Sequence, residues 1–169
     1  FVCGNVYTNC SSDLKPGSLV TSHIPVAASI ASGSGTIGTV AEPNKSFFIN
    51  VGDFGVATIT DINVFLDIDH SNVSHLAANI TSPDGITVPL FFDTGNNLCP
   101  GANIMATFDD EAPSSLTCEP TLVPSIAGSY KPINPLSIFD GKPLTGTWIV
   151  TVYDVVSGVS GEVNNVHLI

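Results

Sequence analysis

The chain contains no arginine, and its four lysines stand against fifteen Asp and Glu residues, for a net charge of −11. So few basic groups cannot neutralise a run of phosphates, which excludes nucleic acid as a partner. Heparin-like polymers and acidic membrane surfaces are excluded on the same ground. Cations, cationic peptides and neutral ligands stay open. No apolar run approaches the roughly 18 residues of a membrane helix, so membrane insertion is not expected. No basic stretch leads into an apolar one as in a signal peptide. The chain begins at Phe1 rather than methionine, and is read as a processed product or an excised fragment. No C-x-x-C pair is present, and the cysteine spacing is not that of a structural zinc site. Sustained helical periodicity and internal repeats are also absent.

What is present fits one large β domain. A chain of 169 residues can bury a substantial core. Its four cysteines, Cys3, Cys10, Cys99 and Cys118, point to an oxidising, secreted or extracellular setting. Three connectivities are open to them, of which the local one, Cys3–Cys10 with Cys99–Cys118, is the simplest. Sequons at Asn9, Asn44, Asn72 and Asn79 agree with secretion but arise readily by chance in such a composition. The acidity on its own is explained by solubility.

Residues 1–23 are polar and hold two cysteines and a Lys15-Pro16-Gly17 turn, so they are read as a disulfide-stapled N-terminal appendage. Over 24–169, short β-rich runs alternate with Gly, Pro, Asn and Asp clusters, the pattern of a β-sandwich or jelly roll. In Thr58–His70 the even positions Ile62, Val64, Leu66 and Ile68 are apolar, while Asp61, Asn63, Asp67 and Asp69 are odd. A period of two puts the first set on the core face and projects Asp67 and Asp69 together from the other. Phe65 breaks the rule on the polar side. Ser82-Pro83-Asp84-Gly85 carries turn chemistry at each position and predicts a hairpin between 75–81 and 86–92. The stretch 93–125 is expected to be a long irregular loop pinned by Cys99–Cys118. Trp148, Val150 and Val152 share a face, and 146–154 with 163–169 are expected to form a terminal hairpin with the tryptophan in the core.

Most local motifs have plain explanations. Asp53-Phe54-Gly55 matches a kinase motif by letters only, in a strand-like context, and is read as a turn. Asp67-Ile68-Asp69 opens like a calcium loop, but Asn72 and Ala78 stand where glycine and glutamate are required. No nucleophile-elbow motif accompanies the histidines at 23, 70, 75 and 167. His70 ends an apolar face and is read as a hydrogen-bonded core histidine, and His167 as a sheet-surface residue. Carboxylate pairs could serve glycoside hydrolysis, but one tryptophan supplies no aromatic cleft. Asp109-Asp110-Glu111 is the densest acidic cluster. Hard cations need several oxygens at once. By spacing alone the cluster reads as a solvated turn.

A set of ordered matches carries more. Thr60-Asp61-Ile62-Asn63-Val64 through Asp69-His70-Ser71 resembles the ITDVNV strand of P domains, the modules that accompany subtilisin-like proprotein convertases. Leu76–Ile80 with Thr81-Ser82-Pro83-Asp84-Gly85 is similar to the family's hairpin, and Phe108-Asp109-Asp110-Glu111-Ala112 to its FDDEA segment. Gly128-Ser129-Tyr130-Lys131-Pro132, Leu136–Gly141, Gly146-Thr147-Trp148 with Val152 and Asp154, and Gly161–Ile169 resemble the remaining family motifs in order. The resemblance implies a jelly-roll β-sandwich of the galactose-binding-like kind, without catalysis of its own. It further implies a partner: an adjacent catalytic domain of the same chain, typically a subtilisin-like peptidase, or another extracellular protein. Such a domain serves its neighbour's folding and stability and tunes its calcium and pH behaviour. It also implies calcium, expected at Asp109 and Asp110 with Asp67, Asp69 and Asp154 as helpers. Two departures stand against calcium: His75 in Ser74-His75-Leu76 and Val159 in Gly158-Val159-Ser160-Gly161 occupy positions where the family tends to carry acids. A carbohydrate-binding or adhesion module on the same fold is the rival reading, since fold alone does not assign function. A stand-alone hydrolase is the weakest.

Overall fold

The structure, a computed structural model, describes residues 29–30, 34–40, 43–52, 58–92, 99–156 and 158–169. The segment 1–23 with Cys3 and Cys10, and the Asp53-Phe54-Gly55 motif, lie outside the described residues. Among the described residues, ten strands form two sheets. One sheet has the order β1 (Ser29–Ile30), β10 (Gly161–Leu168), β4 (Val64–Asp69), β7 (Ile104–Phe108), β8 (Ile126–Tyr130), with β2 (Gly35–Ile37) also on β10. The other has the order β3 (Asn44–Val51), β9 (Gly146–Asp154), β5 (Leu76–Thr81), β6 (Thr87–Phe92). Helix is confined, among the described residues, to 3₁₀ turns at Val73–His75 and Leu136–Phe139. This is the expected all-β sandwich.

The period-two readings hold residue by residue. Val64, Leu66 and Ile68 of β4 are fully buried, and so are Trp148, Val150 and Val152 of β9. The two faces belong to opposite sheets and meet in one core, where each large apolar side chain contributes about 1.5–3 kcal/mol by leaving water. Phe91 of β6 stacks on Phe108 of β7 with ring centroids 5.3 Å apart, joining the sheets at a second point. Phe65 faces outward beside His167, at 5.3 Å. The β5–β6 hairpin closes through Gly85 N–H to Ser82 O at 2.9 Å, and Gly85 takes the positive φ of 85° that glycine tolerates.

Three expectations change. The predicted strand Thr58–His70 is shorter: only Val64–Asp69 lies in the ladder, and Thr58 makes a lone bridge to Pro143. The loop expected over 93–125 contains β7, whose Ile104, Ala106 and Phe108 are buried. β7 and β8 are parallel, so the chain between them must cross over, which consumes the segment 109–125. The terminal pair is not a hairpin either. β9 bonds to β3 and β5, whereas β10 bonds to β4, β2 and β1. The connection through Gly158 carries the chain from one sheet to the other.

The expected disulfide Cys99–Cys118 is present, with the Cα atoms 5.6 Å apart. No helix of the described residues is long and apolar enough to cross a membrane.

Candidate functional site

Two strands on opposite sheets deliver the site. His70 continues the even, inward parity of β4 by one step beyond Ile68. Asp154 does the same on β9 beyond Val152, where the burial alternation runs to the last residue. Both side chains are therefore driven inward at the same end of the core. Their side chains are fully buried, and His70 Nε2 lies 3.1 Å from Asp154 Oδ2. Burial of a carboxylate demands such partners. Its other oxygen, Oδ1, accepts from Val156 N–H at 2.9 Å.

His75 joins them through the sheet. It ends the 3₁₀ turn that Asn72 caps, with Asn72 Oδ1 accepting from Ser74 N–H at 3.1 Å. Leu76 stands opposite Asp154 in the β5–β9 ladder, and Val155 N–H donates to His75 O at 2.8 Å. This pairing brings the His75 ring edge-on to His70, with centroids 5.7 Å apart. One ligand atom from each of His70, His75 and Asp154 lies within 4.8 Å of the others. Two glycines wall the group. A Cβ on Gly38, at φ 81°, would come within 2.2 Å of Asp154 Oδ2 and 2.4 Å of Val159 O. A Cβ on Gly161 would meet His70 Cδ2 at 2.5 Å. His75 and Val159, the two departures from the resemblance, thus both border the His70–Asp154 pair.

The five carboxylates expected to share calcium do not converge. Register places Phe108 opposite Val64, so Asp109 and Asp110 lie beyond the start of β4, whereas Asp69 ends it. At about 3.3 Å per residue, the strand separates those points by more than any single ion spans. Asp67 and Asp69 project outward together, as expected, but their oxygens accept amide N–H groups. Asn165 donates to Asp67 at 3.2 Å, and Asn103 and Asn164 donate to Asp69 at 2.7 and 3.0 Å. Both Asp110 oxygens accept from the backbone of the second 3₁₀ turn, at Leu136 and Ser137. Asp109 Oδ1 accepts from Glu111 N–H at 2.7 Å. Hydrogen bonding to the Asp109 carboxyl, then partial desolvation, then the charge of Asp61 hold the Glu111 carboxyl above its ordinary range. The sequence reading named Asp154 as a helper for calcium without assigning its face. The parity of β9 was the signal that it faces inward with His70.

A depression lined by Ser82, Pro83, Asp84, Lys142, Pro143, Thr145 and Trp148 lies at the hairpin turn. Its tryptophan is fully buried and so offers no exposed platform for a sugar ring.

Residues 59–169 match the profile of the proprotein convertase P-domain. The chain belongs to that family. β1, β2 and β3 precede the matched residues yet pair with β10 and β9, so the P domain's sandwich extends N-terminal to the match. Among solved structures, a crystal structure of the Aeromonas sobria serine protease in complex with a chaperone is similar at 14% identity and TM-score 0.46, covering 80% of this chain and 26% of that one. A structure of the serine protease of Aeromonas sobria shows 15% identity and TM-score 0.45, with coverage of 80% and 26%. This chain therefore spans about a quarter of the length of those proteins. No curated protein matches the chain.

Proposed function

We propose that this P domain is a non-catalytic accessory domain of a secreted multidomain protein, stabilising or positioning an adjacent subtilisin-like peptidase domain. The family match over 59–169 carries this reading. The buried His70–Asp154 pair supports it, because an imidazole with a fully buried side chain cannot reach a peptide or sugar substrate. The bridge between Cys99 and Cys118 agrees with secretion. The test is expression of the full-length protein with and without residues 24–169. Loss of the domain lowers the yield and melting temperature of the neighbouring catalytic domain. An unchanged neighbour would refute the role. Peptidase, esterase and glycosidase panels on the isolated chain read at background.

Calcium belongs to this proposal as a cofactor of the Asp109 turn, where Glu111 shares a hydrogen bond with Asp109 and feels the negative charges of Asp61 and Asp109, which a cation would offset. A ligand bound only by the native state adds RT ln(1 + [L]/Kd), about 2.7 kcal/mol at a hundredfold excess. Thermal unfolding with calcium and with chelator tests it, on the wild type and on Asp109→Ala. A calcium-independent melting temperature in the wild type would exclude the ion.

A further inference from the structure

We propose that His70, His75 and Asp154 form a site for a borderline divalent transition ion of the zinc class. This proposal does not rest on the accessory-domain reading or on calcium at Asp109. The donor set decides the kind of ion. Two imidazole nitrogens and one carboxylate oxygen suit Zn²⁺ and its neighbours, whereas calcium demands six or more oxygens.

The geometry is that of a site with two ligands already set. Two donors on one tetrahedral zinc, each at about 2.0–2.1 Å, lie roughly 3.3 Å apart. His70 Nε2 and Asp154 Oδ2 are 3.1 Å apart, and the third donor is within 4.8 Å of both. The atoms behind the first two are held by the backbone. His70 Nδ1 lies 2.8 Å from Asn72 O and 3.1 Å from Asn72 N, contacts that fix the ring with Nε2 turned toward the site, and Asp154 Oδ1 is held by Val156 N–H. A backbone carbonyl behind the ring is the usual support of a metal-ligating histidine.

His75 is the adjustable member. Its Nε2 lies 3.1 Å from Asn72 Nδ2, while its Nδ1 is buried with no hydrogen-bond partner. Protein contacts leave this ring under-satisfied, and rotation about its side-chain bonds brings a nitrogen to the ion. Because His75 is half-buried while the other two are fully buried, an ion enters past it. Glycine at positions 38 and 161 keeps methyl groups from closing on Asp154 Oδ2 and the His70 ring. Three protein ligands leave the fourth position of a tetrahedral ion to water.

The experiment is calorimetric titration and thermal unfolding of the full chain, stripped with chelator, against Zn²⁺, Co²⁺ and Ca²⁺ separately. One equivalent of Zn²⁺ binds and raises the melting temperature, and Co²⁺ gives the visible absorption of nitrogen-ligated cobalt. Excess Ca²⁺ does not displace either. His75→Ala keeps the buried His70–Asp154 contact and so keeps the fold, but weakens Zn²⁺ binding at least about tenfold. His167→Ala, on the outer face of β10, leaves binding unchanged. The proposal is overturned if the wild type shows neither heat nor a shift in melting. It is also overturned if His75→Ala binds Zn²⁺ as tightly as wild type, which would place the ion elsewhere, or if Ca²⁺ competes at equal concentration. In the first two cases the trio is a hydrogen-bonded end of the core and nothing more; in the third the ion is not of the zinc class.

Discussion

Asp110, in the turn after β7, accepts the backbone N–H of Leu136 at 2.9 Å through one carboxylate oxygen, and its second oxygen accepts Ser137 N–H at 2.8 Å. It caps a 3₁₀ turn twenty-six residues further along the chain. Pro135, at the N-cap position itself, makes no side-chain cap hydrogen bond. Replacing Asp110 by alanine frees both donors. The expected loss is about 1–2 kcal/mol, the size of a good N-cap. Denaturant unfolding of Asp110→Ala and Asp110→Asn measures it. An unchanged midpoint for the alanine variant would show that water replaces the cap at no cost. For the same reason, Asp109→Ala alone is the variant suited to the calcium question.

Phe139, at the end of that turn, meets the ring of Trp148 edge-on, with centroids 5.0 Å apart and planes at 86°. Both side chains are fully buried. Phe139→Ala leaves a cavity beside the only tryptophan, at an expected cost of about 3–5 kcal/mol. Tryptophan fluorescence followed through denaturant unfolding reads both the stability loss and the changed surroundings of the indole. A loss below about 1 kcal/mol would mean that the turn collapses onto Trp148 and fills the space.

Cys99–Cys118 closes a loop that contains all of β7. The chain-entropy account gives about 3 kcal/mol for a loop of this length. The Cys99→Ser/Cys118→Ser variant is expected to melt at a lower temperature. Hydrogen exchange should rise first in 109–125, because β7 remains held between β4 and β8. Faster exchange across β4 as well would show that the bridge supports the whole sheet.

The surface carboxylates Asp84 and Glu111 act in opposite senses with pH. Asp84 is held below its ordinary value by its hydrogen bond from Ser82 and next by Lys142, whose Nζ is 3.2 Å away. A depressed carboxyl contributes stability above its unfolded pKa and loses it as pH falls through the folded one. Glu111 is raised, so its ionised form is disfavoured in the folded protein, and that penalty is relieved as pH falls below the folded value. Lys142→Ala is expected to move the Asp84 titration upward and leave Glu111 in place. Carbon-detected NMR titration of the two side chains decides this. A common shift of both would point to a global charge effect instead.

The sequence by itself determined the β class, the core faces of β4 and β9, the β5–β6 hairpin and membership of the P-domain family, whereas the bridge between Cys99 and Cys118 was one of three open connectivities. These are local properties: a period of two, turn residues at fixed offsets, and motifs in order. What only the tertiary structure decided is which strands pair. β9 and β10 are adjacent in sequence and carry compatible patterns, yet both edges of β9 are taken by β3 and β5, and β10 pairs with β4, β1 and β2 in the opposite sheet. The same holds for β7, whose five residues read as part of a loop until parallel pairing with β8 explains them. His70 and Asp154 were each legible as the next inward step of an apolar face. That these two steps meet, 84 residues apart in the chain, follows from the packing of one sheet on the other. Asp109 and Asp110 fail to converge with Asp69 for the complementary reason: the β4–β7 register, with Val64 opposite Phe108 and Ile68 opposite Ile104, puts them at opposite ends of β4, and that pairing is made between strands far apart in the chain.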